Sequence, residues 1–218
     1  TAGAARVILH YGAPGQRELF AGKLFAGEWG GTMCLTESGA GSSVGDNRCK
    51  AAPTDEEGVY LLEGEKIFIS GGDQDLTDNI LHLVLARTPD AGAGTKGLSL
   101  FIVPKFWVHE DGTTGDRNGA HVLGIEHKMG INGSATCTMV FGEDTPAVGE
   151  LLGTQRGGLR AMFAMMNTAR IAVGLQALGI GEAAYREVVD RGNRGSALGV
   201  LGELAEAFEG VSAVIGQV

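Results

Sequence analysis

Ala4, Val7, Ile8 and Tyr11 recur at helical spacing, and Leu19, Phe20, Leu24 and Phe25 resume that spacing after Ala13-Pro14-Gly15 interrupts it. The pattern predicts a broken helical stretch over 4–27, with Gly27 as its stop. From Gly31 the period changes to short runs rich in β-formers, separated by turn residues. Residues 32–36, 80–86, 98–103, 121–125 and 136–141 are predicted strands. Residues 59–62 and 66–70 flank Glu63-Gly64-Glu65 and are predicted to form a hairpin. The run at 80–86 is almost continuously apolar, so it is expected to be buried on both faces. About seven short strands over roughly 110 residues suggest a sandwich or barrel. The polar segment 110–119 reads as a solvated loop.

After Gly149 the pattern becomes helical again. Leu159, Met162, Phe163, Met166, Ile171, Val173, Leu175, Leu178 and Ile180 lie almost all round one long helix over 159–189, which is expected to be buried by other helices. Arg160, Arg170 and Glu182 interrupt it, and no membrane span is expected. An amphipathic segment follows at 201–218, with Glu203, Glu206 and Glu209 read as its solvated face.

Composition changes this picture in three places. There are 37 glycines in 218 residues, well above the usual ~7%, and they recur between apolar runs, as many tight turns require. The net charge of −9 comes without a Lys/Arg cluster, which argues against a nucleic-acid surface. Cys34, Cys49 and Cys137 form no CxxC pair, and the five histidines no metal-binding spacing. That pattern suits a reducing, cytoplasmic setting and no metal site.

Three segments offer chemistry. Met33-Cys34-Leu35-Thr36 runs into Glu37-Ser38-Gly39-Ala40-Gly41-Ser42-Ser43, a small-residue turn that exposes backbone N–H groups and hydroxyls. In Gly64-Glu65-Lys66-Ile67-Phe68-Ile69-Ser70-Gly71-Gly72, an aromatic and a hydroxyl two positions apart share a strand face. That pair could stack on a flat ring and bond its edge. Met165-Met166-Asn167-Thr168-Ala169-Arg170 places an arginine on an apolar helix, where it needs a partner or solvent.

In order and spacing these segments resemble the acyl-CoA dehydrogenase family of flavoproteins over about residues 1–190. Glu126-His127-Lys128-Met129-Gly130-Ile131 looks most like the large bacterial subgroup that includes 3-methylmercaptopropionyl-CoA dehydrogenases. The resemblance implies an α+β multidomain fold. It has the end of an N-terminal helical domain (1–28), a central β-sandwich or barrel domain that binds flavin and acyl-CoA (29–150), and a partial C-terminal helical bundle (151–218). It implies FAD as cofactor, with Met33, Cys34, Leu35, Thr36, Ser42, Phe68, Ile69 and Ser70 around it. Ser42, Asn167 and Arg170 are implied as acyl-CoA contacts. The implied partners are an acyl-CoA thioester, electron-transfer flavoprotein and further copies of the chain in a homodimer or homotetramer.

Ser38 stands where the family usually has Pro, Ser43 where it has Asp, and Asn167 where Asp is frequent. Segment 190–195 is only a compressed likeness of a family FAD contact. The glutamate that removes the substrate proton is not recognisable, so an incomplete form of the enzyme is expected. An acyl-CoA oxidase on the same fold and a non-catalytic flavin- or DNA-binding member are the alternatives.

Overall fold

The computed structural model describes residues 1–193. Helix α1 (Ala2–Tyr11) is followed by α2 (Pro14–Gln16), a π-helical turn (Arg17–Ala21) and α3 (Gly22–Ala26), which stops at Gly27. Ten strands follow: β1 (Trp29–Cys34), β2 (Lys50–Pro53), β3 (Val59–Ser70), β4 (Asn79–Arg87), β5 (Leu98–Pro104), β6 (Phe106–Val108), β7 (Thr114–Arg117), β8 (Ala120–Ile125), β9 (Thr136–Phe141) and β10 (Ala147–Leu151). The long helix α4 covers Gly158–Asn193. The segment 201–218, read above as an amphipathic helix, lies outside the described residues.

Eight strands form one mixed sheet in the order β1-β4-β5-β10-β3-β9-β8, with β2 bridging β3 and β4. Strand β1 runs parallel to β4, and β4 antiparallel to β5. This placement explains the unbroken apolar run. Leu81, Leu83 and Leu85 of β4 meet Leu98, Leu100 and Ile102 in a core shared with α1, α3 and the start of α4. Val84, Ala86, Phe101 and Val103 face the opposite way, into a second core with Tyr60, Ile69 and Phe141. A strand between two cores has no solvated face, so period-two alternation disappears.

Several expectations are corrected. Residues 59–70 are one 12-residue strand, not a hairpin. Gly64 does not reverse the chain. It takes φ +138° and lets β3 pass so close to Cys49 that a Cβ there would lie 2.9 Å from the Cys49 sulfur. β3 pairs with β2 and β10 before Gly64 and with β9 from Gly64 onward. The polar segment 110–119 contains β7, paired with β6. Asp111 shapes the turn between them by accepting from the Thr113 N–H (2.9 Å) and hydroxyl (2.6 Å). These bonds hold its carboxyl below the usual range.

Contact density divides the chain into two compact units, one made of Thr1–Glu126 with Ser134–Asn167, the other of His127–Gly133 with the chain from Thr168 onward. In the first unit the start of α4 is buried through Ala161, Met162 and Met165. In the second, Ile171, Leu175 and Leu178 are more than 60% exposed, so the expected burial of the whole helix is not found among the described residues. By length and composition alone α4 is sufficient to cross a membrane. Its uncharged run from Ile171 to Gly181, however, is 11 residues, about half of what a bilayer core requires.

Candidate functional site

The end of β1 meets the second half of β3. Cys34 and Leu35 are buried and Thr36 is half-buried. The Thr36 carbonyl accepts a 2.9 Å hydrogen bond from the Ile67 N–H, which ties the first candidate segment to the second. Directly behind that bond lies Lys66, fully buried. Its ammonium donates to the Leu35 carbonyl (3.2 Å), Glu37 Oε1 (2.8 Å) and Asn47 Oδ1 (2.6 Å), one acceptor for each of its three protons. The Glu37 carboxylate also accepts from the backbone N–H groups of Arg48 (2.5 Å) and Cys49 (3.0 Å). Both charges are thereby paired and hydrogen-bonded, the condition for burying them.

A bulge decides what β3 presents to the outside. Simple alternation puts Lys66, Phe68 and Ser70 on one face. The register between β3 and β9 shifts between Lys66 and Ile69, and Phe68 takes φ +60°. Lys66 and Ile69 therefore point inward, while Phe68 (58% exposed) and Ser70 point out. A left-handed backbone at a bulky residue costs roughly 1–2 kcal/mol. Here that cost places an aromatic ring in solvent, so the gain is not packing within the described chain.

The turn after Thr36 is closed by a bridge between Glu37 and Ala40. It is anchored from below by Asn47, whose side chain donates to the Ala40 carbonyl at 3.4 Å. Arg87, at the end of β4, donates to the carbonyls of Asn47 (2.8 Å), Gly92 (2.8 Å), Gly94 (3.0 Å) and Gly45. This guanidinium joins the loop after Ser42 to the loop before β5. Ser42 itself is exposed, and Ser43 donates to Asp46 at 2.5 Å. On the far side of Ser70, Asp73 pairs with Lys105 (2.5 Å) and Arg117 (2.8 Å). Burial alone raises its carboxyl, but the bonds from Lys105 and Arg117 outweigh it and hold the carboxyl below the usual range.

Neither Cys34 nor Cys49 is placed to act as a nucleophile. Burial pushes the Cys34 thiol up to about 12 and that of Cys49 to about 11, so both stay protonated. Burial also lowers the His82 imidazole to about 4. His82 Nδ1 lies 2.9 Å from Thr32 Oγ1 and is a neutral core group.

The eight residues expected around a flavin divide by what they offer. Met33 and Thr36 are half-exposed, and Ser42, Phe68 and Ser70 are exposed. The side chains of Cys34, Leu35 and Ile69 are buried, so these three can offer only backbone. Asn167 and Arg170 are exposed on α4, Asn167 in the first compact unit and Arg170 in the second. Sequence reasoning missed Glu37, Lys66, Asn47 and Arg87. The one available signal was the pair of charges, Glu37 and Lys66, set beside apolar strand segments.

The family model described as the acyl-CoA dehydrogenase middle domain matches residues 32–143. The chain belongs to the acyl-CoA dehydrogenase family. Butyryl-CoA dehydrogenase of Syntrophomonas wolfei is 50% identical over 195 residues, covering 87% of this chain and 32% of that protein. The 3-methylmercaptopropionyl-CoA dehydrogenase of Ruegeria pomeroyi is 46% identical over 189 residues, covering 87% and 32%. The structure of butyryl-CoA dehydrogenase from Megasphaera elsdenii superposes with a TM-score of 0.70 at 29% identity, over 97% of this chain and 53% of that one. The chain thus spans about a third of the length of these two curated relatives.

Enzymes of this family carry FAD, and the residues present fit a flavin. The turn at Gly39 and the strand end at Gly71 are each open where a Cβ would stand, so a flat ring can approach the backbone closely at both. The exposed Phe68 and the hydroxyl residues Thr36, Ser42 and Ser70 lie on the two segments that the Thr36–Ile67 bond joins.

Proposed function

We propose that this chain forms the flavin-holding part of an acyl-CoA dehydrogenase, which removes hydrogens from the α and β carbons of an acyl-CoA thioester. The observation that carries this reading is Phe68, an exposed ring held in a left-handed backbone conformation beside Thr36 and Ser70. When bound, FAD supplies the hydride acceptor and passes electrons on to electron-transfer flavoprotein. The chain's own residues position and shield. Phe68 stacks on the ring system, Thr36 and Ser70 bond its edge, and Met33 with the backbone of Cys34, Leu35 and Ile69 forms the wall that excludes water. Ser42 lies between cofactor and substrate, and Asn167 and Arg170 hold the CoA portion. We assign the substrate's α-proton to no glutamate of this chain.

The same reading gives the organisation 1–28, 29–150 and 151–218 as the end of a helical domain, a β-domain and part of a helical bundle. It also gives a cytoplasmic location, and a homo-oligomer in which a second copy covers the exposed apolar residues Ile171, Leu175 and Leu178 on α4.

The test is FAD binding by the chain, followed through flavin fluorescence. Phe68→Ala weakens binding about tenfold, the worth of one aromatic stack, and leaves unfolding nearly unchanged because the ring is exposed. Failure of the chain to bind FAD, or an unchanged affinity in Phe68→Ala, refutes the reading.

A further inference from the structure

The Glu37–Lys66–Asn47 cluster does more than close a turn. One cation and one anion lie buried together directly behind the two segments assigned to the flavin. Lys66 Nζ is bonded to the carbonyl of Leu35, and the residues that follow each of these, Thr36 and Ile67, are bonded to one another. Glu37 and Asn47 occupy two of the three ammonium protons. Buried charges are poorly screened by salt, so the balance of this cluster reaches a ring bound against Thr36.

We propose that Glu37, Lys66 and Asn47 are positioning residues whose net neutrality sets the reduction potential of the bound flavin. This rests on the flavin reading above. Reduction at neutral pH takes up two electrons and one proton, so the ring system gains one negative charge. A cluster made net positive favours the reduced form and raises the potential. A cluster made net negative lowers it.

Two near-isosteric variants separate charge from shape. Glu37→Gln leaves the cluster with one surplus positive charge. Asn47→Asp keeps the acceptor for Lys66 and adds one negative charge. The flavin potential of the full chain is measured by reductive titration against a reference dye, with circular dichroism to confirm folding. The expected result is an upward shift for Glu37→Gln, a downward shift for Asn47→Asp, and a return close to the parent value in the double variant.

A purely structural role shifts both single variants the same way, or neither, and makes the double variant the worst of the three. Either result, with flavin bound, overturns the proposal. If one single variant fails to fold, the sign in the other decides. Loss of FAD binding by the unaltered chain overturns the flavin reading beneath it instead.

Discussion

His82 ties stability to pH in a way that can be measured. Its imidazole is fully buried between Thr32 and the ring of Phe141, 6.2 Å away. Burial lowers its pKa from 6.5 to about 4, with the nearby cations Lys105 and Arg117 working in the same direction and Asp73 against. Between those two values the unfolded chain binds a proton that the folded chain refuses. Stability therefore rises with pH in this window and is lost as pH falls from 6.5 to 4. A shift of this size corresponds to about 3 kcal/mol in all, of which about 2 kcal/mol is gone by pH 5.

The assay is urea unfolding at steps from pH 7 to pH 4, comparing the parent chain with His82→Gln. The glutamine removes the titrating group and leaves other acid-sensitive groups, Asp73 among them, common to both proteins. The stability difference between the two should narrow or reverse by about 3 kcal/mol as the pH falls. Parallel curves would show that His82 is protonated in the folded state without cost, and the account of its burial would be wrong.

Leu83, fully buried in the centre of β4, should cost about 2–5 kcal/mol of unfolding free energy when changed to Ala. Leu175→Ala on the exposed part of α4, 63% exposed, should change the stability of the same chain by less than about 0.5 kcal/mol. Chemical denaturation of the two variants side by side checks both. Arg87→Met removes a charged donor from four loop carbonyls. It should cost about 2 kcal/mol, with faster protease cleavage in the loop before β5. An unchanged cleavage rate would show that this loop holds its shape without the guanidinium.

Strong periodicity was legible in the sequence. The interruption of the N-terminal helices, found at Gly12-Ala13 with Pro14 already opening α2, the buried strand β4 and the bounds of β9 follow from local pattern, because each segment meets one kind of environment along its length. Strands β2, β6, β7 and β10 were not legible. They are three to five residues long, and partners far away in sequence supply their order. The hairpin expectation at Glu63-Gly64-Glu65 failed for a related reason. Gly64 is compatible with a turn, but pairing with β2 and β10 on one side and β9 on the other carries β3 through it.

The candidate site divides the same way. Its residue types, a small-residue turn and an aromatic followed by a hydroxyl, are present in the sequence. Their directions are not. Alternation alone sets Lys66 and Phe68 on one face, and only the bulge against β9 turns Lys66 inward to Glu37 and Phe68 outward. Local propensity determines the strongly periodic segments, such as β4, β9 and α4, because it acts within a few residues. Which side chain faces core or ligand depends on register against strands distant in sequence, and tertiary structure alone sets that register.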